Sequence, residues 1–99
     1  MKRRLIVGVA AEEELSEASG RYNEKRPGLG IELVNAVQVA FDAILSAPEA
    51  CPLWRKGHPY RRYVLRRFPF VIFFLIEGTT IRIIAMAHAK RGPGYWLAR

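Results

Sequence analysis

The stretch MAHAKRGPGYW, residues 86–96, places a histidine just before a lysine and an arginine. It then runs through Gly92-Pro93-Gly94 into Tyr95 and Trp96. A neutral imidazole among cations can accept a proton while its neighbours hold a phosphate, as cleavage of RNA requires. His88 and Arg91 are therefore the catalytic candidates if the chain is a ribonuclease. No carboxylate lies nearby in sequence to orient the ring, and a His88 that caps a turn by hydrogen bonding satisfies the same residues. Tyr95 and Trp96 are expected to pack back onto the body of the protein rather than stack on bases.

A second constellation is arginine-rich. YRRYVLRR, residues 60–67, carries Arg61, Arg62, Arg66 and Arg67. In a strand, Tyr63 and Leu65 face one way, and Arg62, Val64 and Arg66 the other. Arg82, two strands further on, joins the arginine side. A guanidinium fork pairs equally well with a phosphate and with the carboxylates of an acidic peptide. Arg62, Arg66, Arg82, Lys90 and Arg91 form the expected binding set for an antagonist or target. His58, in KGHPY, reads as solvent-exposed, and Cys51 as a small buried filler. The two histidines and the cysteine lack zinc-ligand spacing, and no glycine-rich phosphate loop or nucleophile elbow occurs, so neither metal nor cofactor is expected.

The elements that position these groups follow from the pattern. Residues 3–9 read as an apolar strand rather than a secretory leader, because three glutamates follow at once. Glu12, Glu13 and Glu14 suit the first turn of a helix that runs to about Lys25. Pro27 and Gly28 break it, and a second helix spans about Leu29 to Ser46, with Leu33, Val37, Ala40, Phe41 and Ile44 on one face. So short a link makes the helices an antiparallel hairpin. A proline-marked loop follows. Three strands then come in YRRYVLRR, FPFVIFFLIE and TIRIIAMAH, the middle one apolar enough to be covered on both faces. In the last, Ile81, Ile83, Ala85 and Ala87 should face one way, and Arg82, Ile84, Met86 and His88 the other. The expected fold is α+β, in the order β-α-α-β-β-β: a helical hairpin on one face of an antiparallel meander, in a single domain over residues 1–99.

Charge sharpens the choice of partner. Of the 99 residues, the first fifty carry six Lys/Arg and eight Asp/Glu, whereas the remainder carries ten basic residues and one acid, Glu77. The whole net charge of +7 thus belongs to the C-terminal half. That asymmetry points to a polyanion or an acidic protein as partner. A single cysteine suits a reducing compartment, and no membrane span is expected, so the reading is a soluble cytoplasmic protein.

In this order RPGLGIEL, RRYVLRRFPFVIFF and IRIIAMAHAKR resemble the RelE/ParE superfamily of type II toxin–antitoxin toxins over nearly the whole chain. The resemblance implies a small basic toxin of a plasmid stabilisation-type module, inhibiting growth and held in a hetero-oligomer by an acidic, partly disordered antitoxin. Ribonuclease members cut messenger RNA on the ribosome, and Arg62 and Arg91 fall at positions similar to their basic residues. The central-strand arginine of those members is replaced here by Val71, and GPGYW departs from their helical tail. FPF leans toward the ParE branch, which implies a protein target such as DNA gyrase. The alternatives are a RelE-like endoribonuclease acting on the ribosome and its messenger RNA, and a binding module without toxicity.

Overall fold

The computed structural model describes residues 2–92 and 94–99; Pro93, within the expected Gly-Pro-Gly turn, lies outside them. Strand β1 (Arg4–Val7) passes through Gly8 into helix α1 (Val9–Lys25). Helix α2 (Leu29–Ser46) follows, then a single 3₁₀ turn (Pro48–Ala50) and strands β2 (Arg61–Val64), β3 (Phe70–Glu77) and β4 (Thr80–His88). The expected α+β order is observed. The sheet runs β1-β4-β3-β2, with β2, β3 and β4 antiparallel and β1 parallel to β4.

Two boundaries differ from expectation. The first strand is shorter than residues 3–9 because Gly8 caps α1, so Val9 is already helical and only Glu12 lies in the first turn. Glu13 and Glu14 sit deeper in the helix. The arginine strand is half as long as its sequence suggests. It ends at Val64, and residues 66–69 form a bend closed by bonds from Leu65 N to Phe70 O and from Phe70 N to Phe68 O. Pro69, with no N–H to donate, suits the bend.

The helical hairpin turns on Gly28, whose φ of 91° is left-handed. One residue pair further in, the helices touch closely. A Cβ at Gly30 would lie 2.2 Å from the Ser19 carbonyl oxygen, and Gly30 N donates to Asn23 Oδ1 at 2.8 Å. Leu33, Val37, Ala40 and Ile44 of α2 are buried with Phe70, Ile72, Phe74, Ile81 and Ile83 in one core. By length and composition α2 could cross a membrane, with a mean hydropathy of 1.4. Its inward stripe is instead spent on the sheet.

The far face of the sheet carries a second, aromatic core: Phe73, Ile84, Ala85, Ala87 and Trp96, joined by Trp54, Tyr60, Val71, Leu75 and Tyr95. β3 is therefore covered on both faces, as its unbroken apolar run requires. Trp96 is fully buried, stacked on Phe73 at 4.5 Å and meeting Tyr60 and Trp54 edge-on at 4.6 and 4.8 Å. The expectation that Trp96 packs back on the sheet holds.

The alternation expected along β4 does not hold. Phe73 pairs with Ala85 and Phe74 with Ile83, leaving Ile84 as an extra residue in a bulge. The bulge shifts the phase by one position, because side chains alternate strictly along a regular strand. Ile84, Ala85 and Ala87 all join the far-face core, while Met86 returns to the helix-side core with Ile81 and Ile83. His88, opposite Phe70, is likewise on the helix side, not on the face of Arg82.

Candidate functional site

Helix α1 and the end of the chain are joined by one carboxylate. The Glu14 side chain is 15% exposed and accepts a bond from Met86 N at 3.0 Å. It also accepts from Arg99 Nη1 at 2.7 Å and from the Tyr95 hydroxyl, and Arg91 Nη1 lies 3.7 Å away. The Arg91 guanidinium packs over the Tyr95 ring at 3.6 Å. Burial alone would push the Glu14 carboxyl up, but the bonds from Arg99, Tyr95 and Met86 N outweigh it and hold the group below its ordinary value of 4.5. The same burial, with the Glu14 carboxylate, pushes the Tyr95 phenol well above its usual range.

A folded-state value below the unfolded one means stability that is present above the ordinary carboxyl range and lost as pH falls through the folded value. Glu14→Gln, which leaves part of this cluster unpaired, should cost about 1–3 kcal/mol at neutral pH. It should also flatten the fall in Tm as pH drops below the ordinary carboxyl range. Differential scanning calorimetry of both proteins over that range checks the expectation, and parallel pH profiles would remove Glu14 from the account.

His88 is less free than its sequence suggests. Its Nδ1 accepts the Lys90 backbone N–H at 3.1 Å, and its ring meets Phe70 edge-on at 5.3 Å. This is the turn-capping arrangement that the sequence left open. With Nδ1 occupied as an acceptor, the neutral ring carries its proton on Nε2 and offers a donor there. Val71, on the far face, lines a hollow of about 190 Å³ with Phe73, Ala87, Tyr95 and Trp96, with His88 and Arg91 at its rim. The place where the resemblance expects a phosphate-binding arginine is thus aliphatic. Arg62 stands opposite Phe73 on the edge strand, whereas the His88 ring stands opposite Phe70, on the helix side, and the two line different hollows.

The arginines of 61–67 divide by role. Arg61 donates to the carbonyls of Cys51 and Glu49, at 2.7 and 3.3 Å, and pins the preceding loop. Arg67 pairs with Glu32 of α2 and lies over the Phe68 ring at 5.0 Å. Among the described residues, neither Arg62 nor Arg66 takes part in an ion pair. Both line a groove of about 490 Å³ between the β2 edge and α2, walled by Ala43, Ala47, Pro52, Tyr63 and Val64. Arg66 enters it from the bend after β2 rather than from the strand, as a correction to its expected place. Arg66 and Tyr63 continue into a second hollow of about 230 Å³ over Ala36, Val39 and Ala40. Arg82 is held by Glu77 through bonds of 3.0 and 2.9 Å, and Lys90 is exposed. The five expected binding residues therefore do not form one patch. Cys51 is half-buried rather than buried, and His58 is exposed against Trp54. Among the described residues no three His, Cys, Asp or Glu side chains gather as metal ligands.

Comparison with solved structures finds this architecture in the "Chromosomal ParDE TA system from P. aeruginosa". The superposition has a TM-score of 0.79 and covers 91% of this chain and 98% of the other, at 17% sequence identity. The two chains share one fold. The resemblance read from RPGLGIEL, RRYVLRRFPFVIFF and IRIIAMAHAKR therefore holds at the level of the ParDE fold. No family model and no curated protein matches the sequence.

Sequence reasoning missed Glu14, Arg21 and Lys25. Glu14 was read only as a helix-start carboxylate, because its partners lie 72 to 85 residues further along the chain. Arg21 and Lys25 carried a usable signal: four residues apart, they share one face of α1.

Proposed function

We propose that this chain is the toxin of a type II toxin–antitoxin module, acting in the cytoplasm by binding a protein target, DNA gyrase by analogy with the ParE branch. Its neutralising partner is an acidic antitoxin segment seated in the groove of Arg62 and Arg66, forming a hetero-oligomer. The observation that carries this reading is that groove: two arginines that take part in no ion pair among the described residues flank apolar walls, in a fold shared with a ParDE chain. Carboxylates of a segment that folds on contact would meet the guanidinium groups while its apolar side chains cover Ala43, Ala47 and Val64. The charge asymmetry of the sequence favours the same acidic partner.

Arg62→Glu and Arg66→Glu should each weaken binding of an acidic antitoxin by about 2 kcal/mol or more where the pair is desolvated. Affinity of the unaltered pair should also fall as salt rises. Titration calorimetry of the purified pair measures both. Equal affinity in both variants would reject the groove as the interface. Toxicity and target are tested together by inducing the chain in cells and following DNA replication and translation separately. Early arrest of replication supports the gyrase reading, early arrest of translation rejects it, and unimpaired growth rejects the toxin.

A further inference from the structure

We propose that the hollow between the last turns of α1 and the ends of β3 and β4 is a phosphate-binding subsite, distinct from the Arg62–Arg66 groove. It is lined by Arg21, Tyr22, Lys25, Phe70 and His88 and measures about 120 Å³, enough for one tetrahedral oxyanion. Arg21 and Lys25 share one face of α1, and no acid lines this hollow. The adjoining hollow of about 240 Å³ shares Arg21, Phe70 and His88 but also carries Glu14 and Glu17. Those carboxylates turn an anion toward the Tyr22 side.

The third donor comes from the bulge in β4. By shifting the strand phase it sets His88 on the helix side, against Phe70 at 5.3 Å. Its Nδ1 is occupied by the Lys90 N–H, so Nε2–H is left to donate. Arg21 does pair with Glu17 at 2.7 Å, but both side chains are more than half exposed and such a pair is weak. Its remaining guanidinium N–H groups stay available. A guanidinium, an ammonium and an imidazole lining one hollow with the rings of Tyr22 and Phe70 suit a phosphate better than a planar carboxylate. Tetrahedral oxygens can meet donors from three directions, and the rings offer a face for a base attached to the phosphate. The phosphate arrives either as the free ion or on a nucleotide.

The test is NMR and calorimetric titration of the folded protein with inorganic phosphate, adenosine 5′-monophosphate and acetate at constant ionic strength. Saturable binding of phosphate, with shifts centred on Arg21, Lys25 and His88, is the expected result. Tighter binding of the nucleotide identifies it as the source, and equal binding identifies the free ion. Arg21→Gln and Lys25→Gln should each weaken phosphate binding by about tenfold. His88→Asn keeps an acceptor for the Lys90 N–H but removes the distal donor, and should weaken binding. His88→Gln, which can present an N–H near the same point, should weaken it less. No saturable binding, acetate binding as well as phosphate, or indifference to all four substitutions would each overturn the proposal. Circular dichroism confirms that each variant is folded, since Arg21 and Lys25 are exposed side chains.

Discussion

Trp96→Ala should destabilise the protein by about 3–5 kcal/mol, the range for removing an aromatic side chain from a packed core. Trp96 is fully buried, stacked on Phe73 and wedged against Tyr60 and Trp54, so alanine leaves a void walled by three rings. Trp96→Phe keeps a ring against Phe73 and should lose distinctly less. Chemical denaturation of the three proteins, with unchanged m-values, measures the order directly. An alanine variant as stable as the parent would mean that the far face of the sheet does not need its aromatic cover.

Purified protein added to programmed ribosomes should cut a labelled message at least ~10²–10³ more slowly than a ribonuclease of this fold, the usual worth of one preorganised charge. By the resemblance, Val71 stands where such an enzyme carries an arginine, in a hollow lined by Phe73, Ala87, Tyr95 and Trp96 together with His88 and Arg91. The other half of the chemistry is expected to be weak as well. A histidine whose Nδ1 accepts the Lys90 N–H must give up that bond before it takes a proton there, so the further ~10²–10⁴ that a general base contributes is expected to be reduced. Arg91 spends its charge beside Glu14 and on the Tyr95 ring. Rapid codon-positioned cleavage that disappears in His88→Ala would overturn this and make His88 a base. A gyrase supercoiling assay run on the same preparation tests the binding alternative.

What was legible in the sequence and what was not divides along the range of the interactions. The two helices were readable because their stops and stripes are local: Pro27 and Gly28 end one, and Leu33, Val37, Ala40 and Ile44 mark the other. The central strand and the inward tuck of Trp96 followed from composition, since so many adjacent aromatic and aliphatic side chains need cover on both faces. The bulge at Ile84 was invisible. IRIIAMAH alternates equally well in either phase, and only pairing with Phe73 and Phe74 reveals the extra residue. The candidate site inherited that error, because moving His88 across the sheet parts it from Arg62 and joins it to Arg21 and Lys25. The roles of Arg61 and Arg67 as braces to Cys51 and Glu32 were likewise beyond a local pattern.

The pairing of β1 with β4 and the contacts of Glu14 with Met86, Tyr95 and Arg99 also govern how the chain is made. On a ribosome β1 emerges before the other three strands, yet among the described residues its neighbour in the sheet is β4, the last of the four in chain order. The helical hairpin can close early on its own local contacts, but its apolar stripe then has nothing to cover it. Contacts spanning 72 to 85 residues form only after β4 and residues 95–99 have emerged, and such long-range closure is slow and leaves hydrophobic surface exposed meanwhile. A chain cut before β4 keeps the helical hairpin and the β2–β3 pair but loses the strand that joins β1 to them, and its uncovered apolar faces make it a substrate for chaperones and proteases.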